Sequence, residues 1–579
     1  MSLGEKWNGD RRASWDDKPE LFTNYRPRVV VKFRERDTPY DDAAMQYSPD
    51  SYLKLEDWKK LEQTFQNISI ERLFVSLPPE RIKGLAERRP TDHNTHKIAR
   101  AERTSETVYR PPNFLTYFGV RCPLGVNPHA VANALAALDV VEVAYVESPP
   151  TRPPAVNPSN DPLYPPNWSR LDSNGAPYPF VVQSYLTPAP VGIDAKYAWD
   201  IEKPPPAGFS KSGGDGRGLH FVDIEQGWTL NHQDLTAANI PPSNGGNLYY
   251  PGHGTAVLGI VRAVDNSIDC VGIAPNVTST HVVSEWRVDP DGGFDHNRAD
   301  AIATAISMLS FGDVLLLEMQ TDVYGYFGNN QDPQTFSNLP VEIQQTIFDL
   351  IKTGTDMHDI VIVEAAGNGG MDRPEVNYDG YDLDGFPWGA SRTVVKDATT
   401  STRATISGLN RSSPQWQPSQ DSGAIMVAGG QVVIPQGGVT ALSSPANWQW
   451  TRWTPSNYGS RIDCFAWADA IVTIGGQTGL TTDTTDSFFG TSGASAIIAG
   501  AALAVQGLAQ ANHGFRFDPL SLRSILSDLT IGTRSGNSTG ANLNADKIGV
   551  MPDLRNIIAQ RLNIISAGAP AAPTGLRVQ

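Results

Sequence analysis

Cysteine is scarce in this 579-residue chain: Cys122, Cys270 and Cys464 are far apart, odd in number and free of any Cys-x-x-Cys pair. That excludes a disulfide framework and offers no zinc site, so buried free thiols are expected. Positive charge is short as well. Lys and Arg number 46 against 62 Asp and Glu, a net charge of -16, which argues against nucleic-acid or membrane partners, since those want basic stripes. No apolar run approaches the roughly 18 residues that span a bilayer. The start, Met1-Ser2-Leu3-Gly4-Glu5-Lys6, holds no apolar signal core, so a cytoplasmic or non-classically exported protein is expected. What remains, 40% hydrophobic and 19% charged, is ordinary globular composition, and the length implies more than one domain.

Residues 1–25 are polar and patternless, a flexible arm. Between 26 and 148 the pattern alternates. Val29 to Phe33 and Ile68 to Val75 read as strands around a helix whose Leu55, Trp58, Leu61 and Phe65 fall at helical spacing. After a charged loop at about 80–108, Phe114 to Val120 and Val140 to Val146 flank an Ala/Leu helix over Pro128 to Leu138. Strand–helix–strand twice over is the ferredoxin-like α+β order. Eight prolines from Pro149 to Pro166 then favour an extended spacer, which places a linker at 149–180.

From 181 to about 566 short apolar strands (Leu219 to Val222, Val314 to Leu317, Ile360 to Val363) alternate with helical stretches. That is the pattern of an α/β domain with a parallel sheet flanked by helices. A Gly-, Asp-, Ser- and Thr-rich region at 377–418 reads as surface loops.

Three segments carry chemistry. Gly490-Thr491-Ser492-Gly493-Ala494-Ser495 runs into an apolar helix with Ile497, Ala501 and Val505 on one face. Gly252-His253-Gly254-Thr255 opens another, with Val257, Val261 and Val264, and Ala366-Gly367-Asn368-Gly369 follows a strand. A serine hydroxyl is a weak nucleophile until an adjacent base takes its proton, and acyl chemistry needs donors aimed at the developing oxyanion. With a carboxylate upstream, the chain order is acid, His, Ser.

In these motifs the sequence resembles the subtilisin-like (S8) serine peptidases over roughly residues 180–560. The resemblance implies that Ser492 is the nucleophile, His253 the general base and Asn368 an oxyanion donor, in an endopeptidase acting on polypeptides. The acid departs from the family, whose strand ends in Asp-Thr-Gly ahead of a His-Pro-Asp-Leu segment. Here Gln226-Gly227 and His232-Gln233-Asp234-Leu235 align without gaps and put Glu225 at the Asp position, with Asp223 two residues earlier on the same strand face. Glu225 is the favoured acid and Asp223 the alternative; His232 is structural. A silent subtilase-fold scaffold remains open as the reading from another class.

The resemblance implies more. Val264 to Pro275 matches the family's calcium loop. By position, Ca2+ would take the side chains of Gln183, Asp234 and Asn266 and the carbonyls of Val264, Ile268 and Cys270. The substrate strand reads Leu317-Glu318-Met319-Gln320 where the family commonly has Ser-Leu-Gly, so Glu318, Met319 and Gly367 are the expected substrate-binding residues. Met319 and Gln320 would narrow the cleft. Glu318 either favours a basic substrate side chain or hydrogen-bonds within the site. The ferredoxin-like domain resembles a subtilase prodomain, an intramolecular chaperone and inhibitor in a zymogen, although a permanent interaction domain is the alternative. The tail, 567–579, resembles a linker and the first strand of a fibronectin type III module.

Overall fold

The computed structural model describes residues 27–35, 43–87, 109–148 without 124, 182–200 and 213–564. Within the last range 290–291, 326–333, 372, 385–408, 415, 434–441, 443–446, 477–479 and 540–541 are excepted. The arm at 1–25, the linker at 149–180, the tail at 567–579, most of the charged loop at 80–108 and much of 377–418 therefore lie outside the described residues.

The run Val29-Val30-Val31 is buried, as β-branched residues on a covered sheet should be. It forms the middle of β1 (Arg28–Phe33), which pairs antiparallel with β3 (Tyr117–Arg121) and β4 (Val141–Val146). Adding β2 (Ser69–Arg72) on the far side of β3 gives the order β2-β3-β1-β4. Helices α1 (Leu55–Thr64) and α2 (Pro128–Ala136) complete the ferredoxin-like pattern. Two details differ from the sequence reading. β2 is shorter than Ile68 to Val75, because the Val75 and Ser76 N–H groups leave the ladder to donate to Asp300 Oδ1 at 2.8 and 2.9 Å. Leu55 does not join the apolar face of α1; it opens the helix and is 64% exposed.

The second unit is built on a seven-stranded sheet. Its parallel core is β5 (His220–Glu225), β6 (Ser279–Ser284), β7 (Val314–Leu317) and β10 (Val361–Ala365), in the order β10-β7-β5-β6. A hairpin of β8 (Gln320–Gly325) and β9 (Gln334–Pro340) stands off the sheet between β7 and β10. Beyond β10, β11 (Ile425–Val432) pairs parallel with β10 and with β13 (Cys464–Trp467), and antiparallel with β12 (Trp450–Arg452). The chain runs from β5 to β6 on one side, then returns to β7 on the other. Ligands of open α/β sheets bind outside the carboxyl ends of the strands at such a reversal.

Helices α3 (Pro251–Arg262), α4 (Arg298–Met308), α5 (Gln345–Met357) and α6 (Thr491–His513) cover this sheet. Val264 lies past the end of α3, so it does not extend the apolar face read from the sequence. Against the sequence reading, α6 is long and apolar enough to cross a bilayer, but the window that qualifies is wholly buried in the protein. Its length reflects a core helix, covered on all sides.

α4 and α5 are buried between two partners. One face packs on β5 and β7 and the other meets the ferredoxin-like sheet, so that Phe118, Ile302, Ile347 and Leu315 share one apolar cluster. Polar bonds tie the joint. Arg28 Nη2 donates to Asp295 Oδ2 at 2.8 Å, Tyr117 Oη to Asp349 Oδ2 at 2.7 Å, and Tyr145 Oη to Thr346 Oγ1 at 2.9 Å. Asp300 sits in the first turn of α4, where the helix dipole favours a negative charge. Cys122, Cys270 and Cys464 are buried free thiols, as expected.

Candidate active site

Glu225 is the last residue of β5, and its side chain reaches the helix that follows: Oε1 lies 2.7 Å from His253 Nδ1. Both side chains are 2% exposed, so water cannot compete for the bond. Asp223, the alternative acid, makes no bond to His253, and its Oδ1 is buried without a partner. Its Oδ2 accepts from Trp228 Nε1 at 2.8 Å. Of the two carboxylates, the one favoured from the ungapped spacing is the one that bonds to His253. The extra methylene of Glu is taken up without loss of contact.

With Nδ1–H donating to Glu225, the other ring nitrogen keeps its lone pair. Nε2 of His253 is buried and makes no hydrogen bond. A buried polar atom without a partner costs roughly 1–3 kcal/mol, and such exceptions call for a functional reason. Phe488 meets the ring edge-on at 5.3 Å and fixes its plane.

Burial favours the uncharged form of both partners. It pulls His253 down to about 4, against the charges of Asp223 and Glu285. It pushes Glu225 well above the usual carboxylate range, helped by Glu285 and opposed by the backbone of Gln226. Glu285 itself is held below that range despite its burial, because Arg298 and His296 bond to it at 3.0 and 2.8 Å.

Ser492 is the second residue of α6. The first N–H groups of a helix have no intrahelical acceptor, which leaves the Ser492 amide available beside its own hydroxyl. Asn368, past the end of β10, faces the same helix terminus. Its Oδ1 accepts from Thr491 N at 2.9 Å and from Thr491 Oγ1 at 3.0 Å, so its Nδ2 points its hydrogens outward. Gln320 Oε1 accepts from Asn368 N at 3.0 Å and fixes the backbone behind it. Glu225, Glu318, Met319, Gln320, Asn368 and Ser492 line one cleft.

The expected substrate residues divide. Glu318 and Met319 follow β7 directly and line the cleft. Gly367 instead serves packing: at φ 85°, a Cβ there would fall 2.2 Å from Asn338 O. Glu318 takes the second of its two expected roles. It is buried and in hydrogen-bond contact with Ser495 Oγ, while its Oε2 has no partner. Burial, then the charges of Glu225 and Asp223, push it well above the usual carboxylate range. Gln320 was expected to narrow the cleft but not to brace Asn368, and Thr491 and Ser495 were given no role of their own. The signal for Ser495 was present, since it lies one helical turn beyond Ser492.

The residues expected to hold calcium come together but bond to one another. Gln183 Oε1 and Nε2 engage Val271 N and O at 3.0 and 2.9 Å. Asp234 accepts from Cys270 N at 3.0 Å and from Asn266 Nδ2 at 3.2 Å, and Asn266 Oδ1 accepts from Ile268 N at 2.9 Å. The set is all oxygen and suits calcium in kind. Seating an ion would require these oxygens to leave their N–H donors. Among the described residues no group of three or more His, Cys, Asp or Glu side chains could hold a metal. His232 caps a short helix by accepting from Asp234 N at 3.2 Å, a structural role.

The model of the subtilase family (peptidase family S8) matches residues 230–542. No curated protein sequence matches the chain significantly. Among solved structures, similarity is found to fervidolysin from Fervidobacterium pennivorans, a keratinolytic enzyme related to subtilisin. Identity there is 13% and the TM-score 0.45, covering 96% of this chain and 63% of that one. A cold-adapted subtilisin-like serine proteinase is 16% identical with a TM-score of 0.33, over 62% and 95% of the two chains. A protease from Pseudoalteromonas arctica is 19% identical with a TM-score of 0.37, over 66% and 97%.

Proposed function

This chain belongs to the subtilase family of serine peptidases, and from that premise we infer that it is an endopeptidase acting through a Ser492 acyl-enzyme. The observation that carries the reading is the buried 2.7 Å pair of Glu225 and His253, whose unpartnered Nε2 awaits a proton. The Ser492 oxygen attacks the scissile carbonyl carbon while His253 Nε2 takes the hydroxyl proton. Glu225 stabilises the imidazolium. Asn368 Nδ2 and the Ser492 amide receive the oxyanion, interactions that strengthen as charge develops. Collapse expels the amine, which takes its proton from His253, and water then releases the acyl group by the same steps.

The N-terminal domain is proposed as an intramolecular inhibitor and folding aid. Its last described residue, Ser148, lies 2.6 Å from Thr321 Oγ1 and accepts from Arg298 Nη1 at 2.7 Å. Thr321 is three residues past Glu318, so the chain leaves this domain at the rim of the cleft. Specificity is proposed to be restricted, because Glu318, Met319 and Gln320 are all buried where the substrate strand should be open. Calcium, if bound at 264–270, would act as a structural ion.

Intact mass of the wild type against Ser492→Ala tests the zymogen. The wild type should lose its N-terminal portion by a cut in or after the 149–180 linker, while the variant stays whole. Identical full-length masses under conditions that support peptide cleavage would remove self-processing from the proposal.

A further inference from the structure

Glu318 is the buried acid that the mechanism above leaves unused. Its Oε1 is in hydrogen-bond contact with Ser495 Oγ, and that same hydroxyl lies 2.8 Å from Thr491 O and 3.0 Å from Ser492 O. A serine hydroxyl has one hydrogen. Inside a helix that hydrogen goes to the carbonyl one turn back. Three acceptors surround that one hydrogen, and if the helix carbonyl keeps it, the hydrogen between Ser495 and Glu318 comes from the carboxyl group. We propose that Glu318 stands beside the nucleophile as an uncharged carboxylic acid that donates to Ser495, and that its ionisation shuts the site down.

The surroundings agree. Asp223 and Glu225 approach from β5, and Glu285 from just past β6 with Arg298 and His296 bound to it. Ser492 and Ser495 come from α6. No cation among them bonds to Glu318. A charge here would face the carboxylate of Glu225 and the oxyanion that Ser492 and Asn368 must stabilise in the same cleft. Like charges in so dry a space oppose each other strongly. Burial raises the acid in the same direction. Ionisation therefore comes on the alkaline side, and activity present below that point is lost as pH rises through it.

The inference rests on the protease reading. The test is the rate at which a fluorophosphonate labels Ser492 across pH in the wild type, Glu318→Gln and Ser495→Ala. The wild type should show a falling alkaline limb that Glu318→Gln, which cannot ionise, lacks. Ser495→Ala should move that limb to lower pH, because the neutral acid loses its acceptor. Were Ser495 instead donating to a carboxylate, the limb would move up, and the inference falls. It falls equally if the wild type and Glu318→Gln profiles coincide. No wild-type labelling at any pH would sink the protease reading itself, whereas labelling with coincident profiles sinks only the role of Glu318.

Discussion

Replacing Glu225 by Gln removes the ionisable carboxyl group and keeps the shape. The bond it breaks is 2.7 Å long between side chains only 2% exposed, so no water takes the carboxylate's place. An amide cannot stabilise the imidazolium, and its NH2 can hold His253 in the wrong tautomer. Removing the acid from a serine-protease triad costs about 10⁴ in kcat, or about 5.4 kcal/mol at 1.36 kcal/mol per decade. Asp223 makes no bond to His253, and its Oδ2 is held by Trp228 Nε1 at 2.8 Å. The assay is peptide hydrolysis by processed enzyme, with circular dichroism to confirm the fold. Glu225→Gln should lose about four decades in kcat with KM little changed. Asp223→Asn should stay within about tenfold, as it touches neither His253 nor the nucleophile. Near-full activity in Glu225→Gln, or a four-decade loss confined to Asp223→Asn, would refute the assignment of the acid.

Asn368→Ala removes one oxyanion donor and should cost about 10²–10³ in kcat with little change in KM; a loss expressed only in KM would assign Asn368 to substrate binding. If calcium holds the 264–270 loop, a chelator should lower the thermal midpoint by several degrees, since an ion at about 100 times its Kd adds about 2.7 kcal/mol. An unchanged midpoint would remove the ion from the account.

Much of the site was legible because its parts are local. A nucleophile at a helix start, a histidine opening another helix and an asparagine after a strand each announce themselves within six residues. The preference for Glu225 over Asp223 came from an ungapped spacing, and the structure pairs Glu225 with His253 and Asp223 with Trp228. What could not be read were contacts that depend on how distant elements meet. Glu318 and Ser495 are 177 positions apart, and only the stacking of α6 against the end of β7 makes them neighbours. Gln320 looked like an obstruction to substrate, yet it also braces the backbone of Asn368. Gly367 was expected to bind substrate, yet its missing Cβ makes room for Asn338. The α+β order of the first domain followed from hydrophobic alternation. Its seating on α4 and α5 did not, because a helix apolar on every face says that it is covered and not by what.

The central claim is that Ser492 is activated by His253, and a fluorophosphonate probe addresses both at once. Processed wild type should be labelled on Ser492, Ser492→Ala not at all, and His253→Ala far more slowly. Absence of labelling in folded, fully processed wild type, or equal rates with and without the imidazole, would contradict it.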